Sequence, residues 1–109
     1  MPAQYPFFFG NGSVTSSATA VSVQSLIATA MGFVPKGACV SLNVTCSTAT
    51  YWGFASTVTN TDGALVAANT PVTDSATGQL SDAIPISQMF IYNNSGGASS
   101  VVIYARFIP

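Results

Sequence analysis

The segment 40–46, with the sequence Val-Ser-Leu-Asn-Val-Thr-Cys, decides the fold of this chain. Apolar and polar residues alternate strictly along it. A hydrophobic period of two places successive side chains on opposite faces, which predicts a strand with one face in a core and the other in water. Such strands are typical of antiparallel sheets, because parallel strands are buried on both faces and are apolar throughout.

Further strand and turn signals follow at intervals of about 8–12 residues, the spacing of a β-sandwich or a small barrel. The sequence Asn60-Thr61-Asp62-Gly63 is typical of a hairpin turn, with Gly63 suited to a positive φ. Asn69–Ser81 is rich in turn residues and is predicted to be a polar loop. The predicted strands are Thr50–Thr59, Ala64–Ala68, Gln88–Tyr92 and Val101–Ile108, the last with Val101, Ile103, Ala105 and Phe107 on one face and Val102, Tyr104 and Arg106 on the other.

The segment Val21–Met31 carries two competing patterns. Val23, Ile27 and either Ala30 or Met31 fit the apolar stripe of a helix that Gly32 would end. The β-branched residues and the Ser/Thr content fit a strand instead. We expect a strand that includes a short helical turn.

Residues 1–12 are predicted to form an extended N-terminal arm, and residues 13–109 a single β-sandwich domain. Pro2 and Pro6 disfavour regular pairing, and Gly10-Asn11-Gly12 supplies turn residues. Phe7, Phe8 and Phe9 have two interpretations of equal weight. Either they plug the core of their own domain, or they anchor the arm on a neighbouring chain. Three consecutive residues of a strand cannot all share one face, which makes them candidate interface residues.

The composition excludes several classes of function. The chain has 109 residues, two basic residues, three acidic residues and no histidine, and its net charge is −1. A surface that binds nucleic acid needs clustered cations, which are missing. Five charges leave about one per 1,000 Å² of surface, a weak barrier to self-association, so we expect an oligomer. Residues 18–34 are uncharged, but polar residues interrupt them, and we expect neither a membrane span nor a secretory signal.

The two cysteines are predicted to be free thiols. Cys39 and Cys46 lie seven residues apart on one predicted strand, about 23 Å from each other, whereas a disulfide needs Cα atoms within about 7 Å. Their parity differs, so the alternation predicts opposite faces. Free thiols fit assembly in a reducing compartment.

The sequence offers no catalytic constellation, and we expect no enzyme, no cofactor and no metal site. Asp62, Asp74 and Asp82 each adjoin turn residues, where an Asp side chain caps the local backbone. Without histidine, a serine nucleophile has only Lys36 as a base, and Lys36 lies in a predicted Pro-Lys-Gly turn. Asn11, Asn43 and Asn93 begin glycosylation-type tripeptides, which chance explains in a chain rich in Asn, Ser and Thr.

The aromatic residues Tyr51, Trp52 and Phe54 have two interpretations. Within a segment of high β-propensity they are predicted to pack into the core. Alternatively, they form a platform on which a sugar ring stacks.

The order of turns and strands resembles that of small β-sandwich decoration, or cement, proteins on the capsids of tailed bacteriophages. The resemblance covers residues 35–107: the turn Val34-Pro35-Lys36-Gly37-Ala38 that enters a strand, the turn at Asp62-Gly63, the loop that ends at Gly78, and the segment Ile86–Tyr92 before Asn93-Asn94-Ser95-Gly96-Gly97 and a final Val/Ile strand. It implies a jelly-roll-like domain, a homotrimer or homodimer, and the major capsid protein as partner.

The sequence therefore predicts an all-β protein with a single antiparallel β-sandwich or jelly-roll-like domain. The function expected from the resemblance is that of a structural virion protein on the capsid surface, which binds and reinforces a bacteriophage capsid. The alternative is a carbohydrate- or receptor-binding β-sandwich module of a phage tail fibre. Neither function involves nucleic acid or a membrane.

Overall fold

Eight strands form two antiparallel sheets of four strands each. The computed structural model describes residues 7–16, 19–33, 37–75 and 83–108, with the backbone alone for residues 7–9 and 108. The strands and the helix are β1 (Phe7–Val14), β2 (Val21–Ser22), α1 (Val23–Met31), β3 (Ala38–Cys46), β4 (Thr50–Gly53), β5 (Ala64–Val66), β6 (Pro71–Ser75), β7 (Phe90–Tyr92) and β8 (Ser99–Ile108). The fold class predicted from the sequence is confirmed.

The strand order identifies the sandwich as a jelly roll. One sheet has the order β1-β8-β3-β6 and the other has the order β2-β7-β4-β5. The first strand therefore pairs with the last, the second with the seventh, the third with the sixth and the fourth with the fifth. This is the pattern of one long antiparallel ribbon rolled into two facing layers.

The core lies between the sheets, and β3 and β8 contribute its centre. These two strands pair along most of their length. On β8 the predicted alternation is confirmed, since the side chains of Val101, Ile103, Ala105 and Phe107 are buried. The side chains of Val102, Tyr104 and Arg106 lie on the outer face of the same sheet.

A β-bulge in β3 changes the face of one cysteine. The register against β8 shifts between Cys39 and Ser41, so Val40 is an extra residue. Cys39 and Cys46 consequently belong to the same core cluster. The prediction of opposite faces was wrong, because strict alternation does not survive a bulge. The prediction of free thiols is confirmed.

The segment Val21–Met31 is a helix rather than a strand with a helical turn. Only Val21 and Ser22 pair with β7. Ser22 then caps α1, since its Oγ accepts a hydrogen bond from the Ser25 backbone N–H at 3.0 Å. Gly32 ends the helix in the left-handed conformation with φ of 85°. The caps and a buried face of Val23, Leu26 and Ile27 outweigh the local β-propensity.

Two segments that the sequence assigns to irregular structure are strands at the edges of one sheet. Residues 7–12 of the predicted arm form most of β1, which pairs with β8 from Phe7 opposite Arg106 to Val14 opposite Ser99. Within the predicted loop 69–81, residues 71–75 form β6, which pairs with β3. Both segments are rich in turn-forming residues, which is why the sequence pattern did not predict strands there. An edge strand tolerates such residues because only one of its sides is hydrogen-bonded.

Asn93 joins three of the connections between the sheets. Its Nδ2 donates to the carbonyl oxygens of Val14 at 2.9 Å and Gly97 at 3.0 Å, while its Oδ1 accepts from the Ser95 N–H and the Thr48 hydroxyl. Val14 ends β1, Thr48 lies between β3 and β4, and Gly97 lies between β7 and β8. The side chain is 1% exposed, so the folded protein offers no glycosylation acceptor at this position.

Asn93→Asp is predicted to destabilise the protein by about 2–4 kcal/mol at neutral pH, since a carboxylate cannot donate to either carbonyl oxygen. Burial and these oxygens raise the pKa of the new carboxyl in the folded state above its unfolded value. The variant therefore loses stability as the pH rises through that pKa and regains part of it in acid. Urea titrations between pH 4 and pH 7 measure the effect. The matched control is Asn94→Asp at an exposed position. An equal response of the two variants would contradict the prediction.

Candidate functional site

The acidic residues that the sequence singles out do not form a catalytic cluster in the described residues. Asp62 has the predicted turn role, because its Oδ1 accepts from the Thr59 backbone N–H at 2.8 Å. Asp74 lies in β6, not in a loop, and its Oδ1 accepts from the Ser75 N–H. Asp82 and Lys36 lie outside the described residues. Across residues 7–16, 19–33, 37–75 and 83–108, no three His, Cys, Asp or Glu side chains converge as a metal site would require.

The aromatic triplet is divided among three environments. Trp52 belongs to the core, and its Nε1 donates to Thr50 Oγ1 at 3.0 Å. Tyr51 faces the other side of β4, where its ring lies 6.4 Å from that of Tyr92. Phe54 follows the strand and is 75% exposed. The core interpretation is right for Trp52 only, and the three rings do not make one sugar-stacking platform.

The loop between β4 and β5 folds back over the outer side of β4. Val58 is buried there against Gly53, where an added Cβ would lie 2.7 Å from Val58 Cγ2. Gly63 closes the loop at a similarly tight place. A Cβ on Gly63 would lie 2.8 Å from both the Thr59 carbonyl oxygen and Tyr51 Cβ. Gly63 does not have the positive φ that the turn pattern predicts, and close packing is what requires a glycine there.

An apolar cleft opens between the edge strands β5 and β6. Its volume is about 620 Å³, and the residues that line it are Trp52, Gly53, Phe54, Asp62, Ala64, Val66, Val72, Thr73, Asp74 and Met89. The cleft gathers two of the three acids and two of the singled-out aromatic residues. The sequence pattern did not predict this cleft, because it assigned the residues of β6 to a loop. In addition, a local sequence pattern does not show which strand edges of two sheets lie next to each other.

The outer face of the sheet β1-β8-β3-β6 is broad and almost without charge. Ser41, Asn43 and Thr45 of β3 lie beside Val102 and Tyr104 of β8 in the pairing register. Val102 is 42% exposed and Tyr104 is 44% exposed. Among the described residues at outward positions of this sheet, Arg106 carries the only formal charge.

Both thiols are buried, and their environment suppresses reactivity. Burial raises the pKa of Cys39 to about 11, a backbone hydrogen bond at Ser41 acts in the opposite direction, and the negative charge of Asp74 adds to the rise. Burial also raises the pKa of Cys46. Because the thiolate is the nucleophilic form, neither residue is a candidate nucleophile.

Comparison with models of protein families, with curated proteins and with solved structures finds no match to this chain. No helix in the described part of the chain is long and apolar enough to cross a membrane.

Iodoacetamide at about pH 8.5 is predicted to label neither cysteine in the folded protein and both after denaturation without reductant. Raised pKa values and burial keep the native thiols protonated and inaccessible. Intact mass spectrometry counts the labels. Rapid labelling of the folded protein would contradict the burial of the thiols, and an unlabelled denatured chain lighter by two hydrogen atoms would reveal a disulfide.

Proposed function

We propose that this chain is a structural virion protein that binds and reinforces a bacteriophage capsid. The observation that carries the proposal is the outer face of the sheet β1-β8-β3-β6, which is extended, nearly uncharged and partly apolar. The resemblance of residues 35–107 to capsid decoration proteins agrees with it. Jelly rolls serve both as virion components and as lectins, so the fold supports the proposal without deciding it.

The chemistry of this face suits permanent burial against other chains. Removing a charged group from water is costly unless a partner compensates it, whereas hydroxyl and amide groups are satisfied by ordinary hydrogen bonds. Arg106 carries the one formal charge at the described outward positions of this sheet, and Val102 and Tyr104 supply apolar contact. The partners in this proposal are the major capsid protein and further copies of the chain, as a homotrimer or homodimer. The role requires no catalysis and no cofactor.

Counting copies per particle tests the proposal. A reinforcing protein covers a lattice, so quantitative mass spectrometry of purified virions is expected to find hundreds of copies in a fixed ratio to the major capsid protein. A count near the number of tail fibres, or absence from the particle, would contradict it. Particles assembled without the chain are expected to break at a lower temperature than complete ones.

A carbohydrate- or receptor-binding module of a tail fibre is the second candidate. The observation in its favour is the pair of Tyr51 and Tyr92 on the outer face of the sheet β2-β7-β4-β5, next to the exposed Leu65. Trp52 no longer supports it, because that side chain is in the core. A low copy number and binding of glycans that Tyr51→Ser abolishes would favour this candidate.

The interface role predicted for Phe7, Phe8 and Phe9 stays a prediction, and the backbone register divides the three. Phe7 and Phe9 pair with Arg106 and Tyr104, whose side chains are exposed, whereas Phe8 pairs with the buried Ala105. Partners across an antiparallel pair interact as neighbours on one face. From these backbone positions we predict a stabilising role for Phe8 and a docking role for Phe7 and Phe9; the side chains of all three lie outside the described residues.

Phe7→Ser combined with Phe9→Ser is expected to reduce self-association or capsid binding while the unfolding temperature stays near that of the parent chain. The matched variant Phe8→Ser, opposite the buried Ala105, is expected to lower the unfolding temperature instead. Light scattering, sedimentation with capsids and thermal unfolding measure these effects. If the double variant associates normally, or if Phe8→Ser is as stable as the parent, the division of roles is wrong.

A further inference from the structure

The sandwich is closed on one side and open on the other. At the edge formed by β1 and β2, α1 packs over the gap between the sheets and buries Val23, Leu26 and Ile27 in the core. At the opposite edge, formed by β5 and β6, no helix of the described residues covers the gap. The cleft of about 620 Å³ lies there, and its volume falls within the ~300–1,000 Å³ typical of ligand sites.

The cleft leads from solvent to the core. Trp52 and Met89 belong to the core cluster and also line the cleft. Val66 of β5 and Val72 of β6 form part of its walls and are only partly buried. Phe54 also lines it and is 75% exposed, the largest exposure of any large hydrophobic side chain among the described residues. An occupant with apolar side chains would remove this surface from water.

The charge on the cleft has one sign. Asp62 and Asp74 both line it, and the hydrogen bonds of each carboxylate involve Oδ1. Arg106, the one basic residue in the described part of the chain, lies on β8 and is not part of the lining. The cleft therefore attracts a cationic group and repels an anion.

The strands beside the cleft favour an extended occupant. Among the described residues, β5 pairs only with β4 and β6 pairs only with β3, so each strand presents one edge without a strand partner there. An extended polypeptide can add to such an edge through main-chain hydrogen bonds, while alternate side chains enter neighbouring pockets. A neutral oligosaccharide fits less well, because beside the two carboxylates the largely apolar lining offers only Thr73 and the Trp52 Nε1–H, which already donates to Thr50 Oγ1.

We propose that the cleft between β5 and β6 is a docking site for an extended segment of a partner protein that carries apolar side chains next to Lys or Arg. The apolar side chains contact Phe54, Val66 and Val72, and the cationic group lies near the carboxylates of Asp62 and Asp74. This site goes beyond the proposed capsid role and does not depend on it, since any partner with this chemistry would fit.

Selection from a random library of displayed linear octapeptides tests the chemistry of the occupant. With the full chain as bait, the enriched peptides are expected to combine two or more apolar residues with at least one Lys or Arg. Absence of enrichment, or enrichment of acidic or uncharged sequences, overturns the proposal.

Two exposed phenylalanines provide a matched pair that locates the binding. Phe54→Ser changes the cleft, whereas Phe33→Ser changes a residue after α1 that is 58% exposed and is not part of the lining. Phe54→Ser is expected to weaken the selected peptides about tenfold. Phe33→Ser is expected to leave their affinity unchanged, and both variants should keep the circular dichroism and unfolding temperature of the parent. Equal effects of the two variants on affinity overturn the proposal.

A double-mutant cycle tests the charge. Asp62→Asn and Asp74→Asn retain an oxygen that accepts the local backbone hydrogen bond, and each is expected to weaken a cationic peptide about two- to fivefold. The same substitutions should not affect a peptide in which Lys is replaced by Gln. If the effects of the Asp substitution and of the Lys replacement on binding free energy are additive, the carboxylate and the cationic group do not interact and the proposed ion pair is wrong. If neutral oligosaccharides on an array bind the parent chain and Phe54→Ser abolishes that binding, the occupant is a sugar and the proposal is wrong. If no peptide is enriched and Phe54→Ser dissociates a homo-oligomer, the occupant is a second copy of the chain and the proposal is equally wrong.

Discussion

The four hydrogen bonds of Asn93 hold together the end of the molecule at which the chain repeatedly passes from one sheet to the other. A jelly roll requires the two layers to be joined by many crossings, and β1, β3 and β7 each end near this residue. Two amide N–H donors and one amide oxygen of this buried side chain satisfy the buried Val14 carbonyl and partly buried groups of Thr48, Ser95 and Gly97. No buried side-chain polar atom in the described residues lacks a partner. A neutral polar side chain thus links the β1–β2, β3–β4 and β7–β8 connections to one another.

The surface chemistry of the β1-β8-β3-β6 sheet follows from the lack of charge in the chain. The alternating strands direct their apolar side chains into the core, while the outer face of the β1-β8-β3-β6 sheet combines hydroxyl and amide groups with the exposed Val102 and Tyr104. Such a surface discourages neither self-association nor docking, since there is little charge to desolvate. This property suits a subunit whose surface is buried against other chains in an assembly, and it is the physical basis of the proposed virion role.

The two edges of the sandwich differ: one is closed by α1, and the other contains the cleft proposed as a docking site. α1 seals the edge at β1 and β2, and its caps make that seal a defined element. At β5 and β6 the strands are short, apolar side chains reach solvent, and two carboxylates stand beside them. An edge of this kind is where a sheet protein either aggregates or binds a partner. The carboxylates give the binding a preference for cationic partners.

The sequence by itself determined the fold class and most of the core, because periodicity is a local property and burial follows from it. The alternation in β3 and β8, the turn role of Asp62 and the free thiols were all readable from the residues. Only the tertiary structure decided the rest. The bulge at Val40, the helix at Val23–Met31 and the edge strands β1 and β6 depend on partners distant in sequence, which override weak local signals. The order of the strands brings Asp62 and Asp74 to the same open edge, where they line the cleft. The order of strands in space cannot be read from the spacing of residues along the chain.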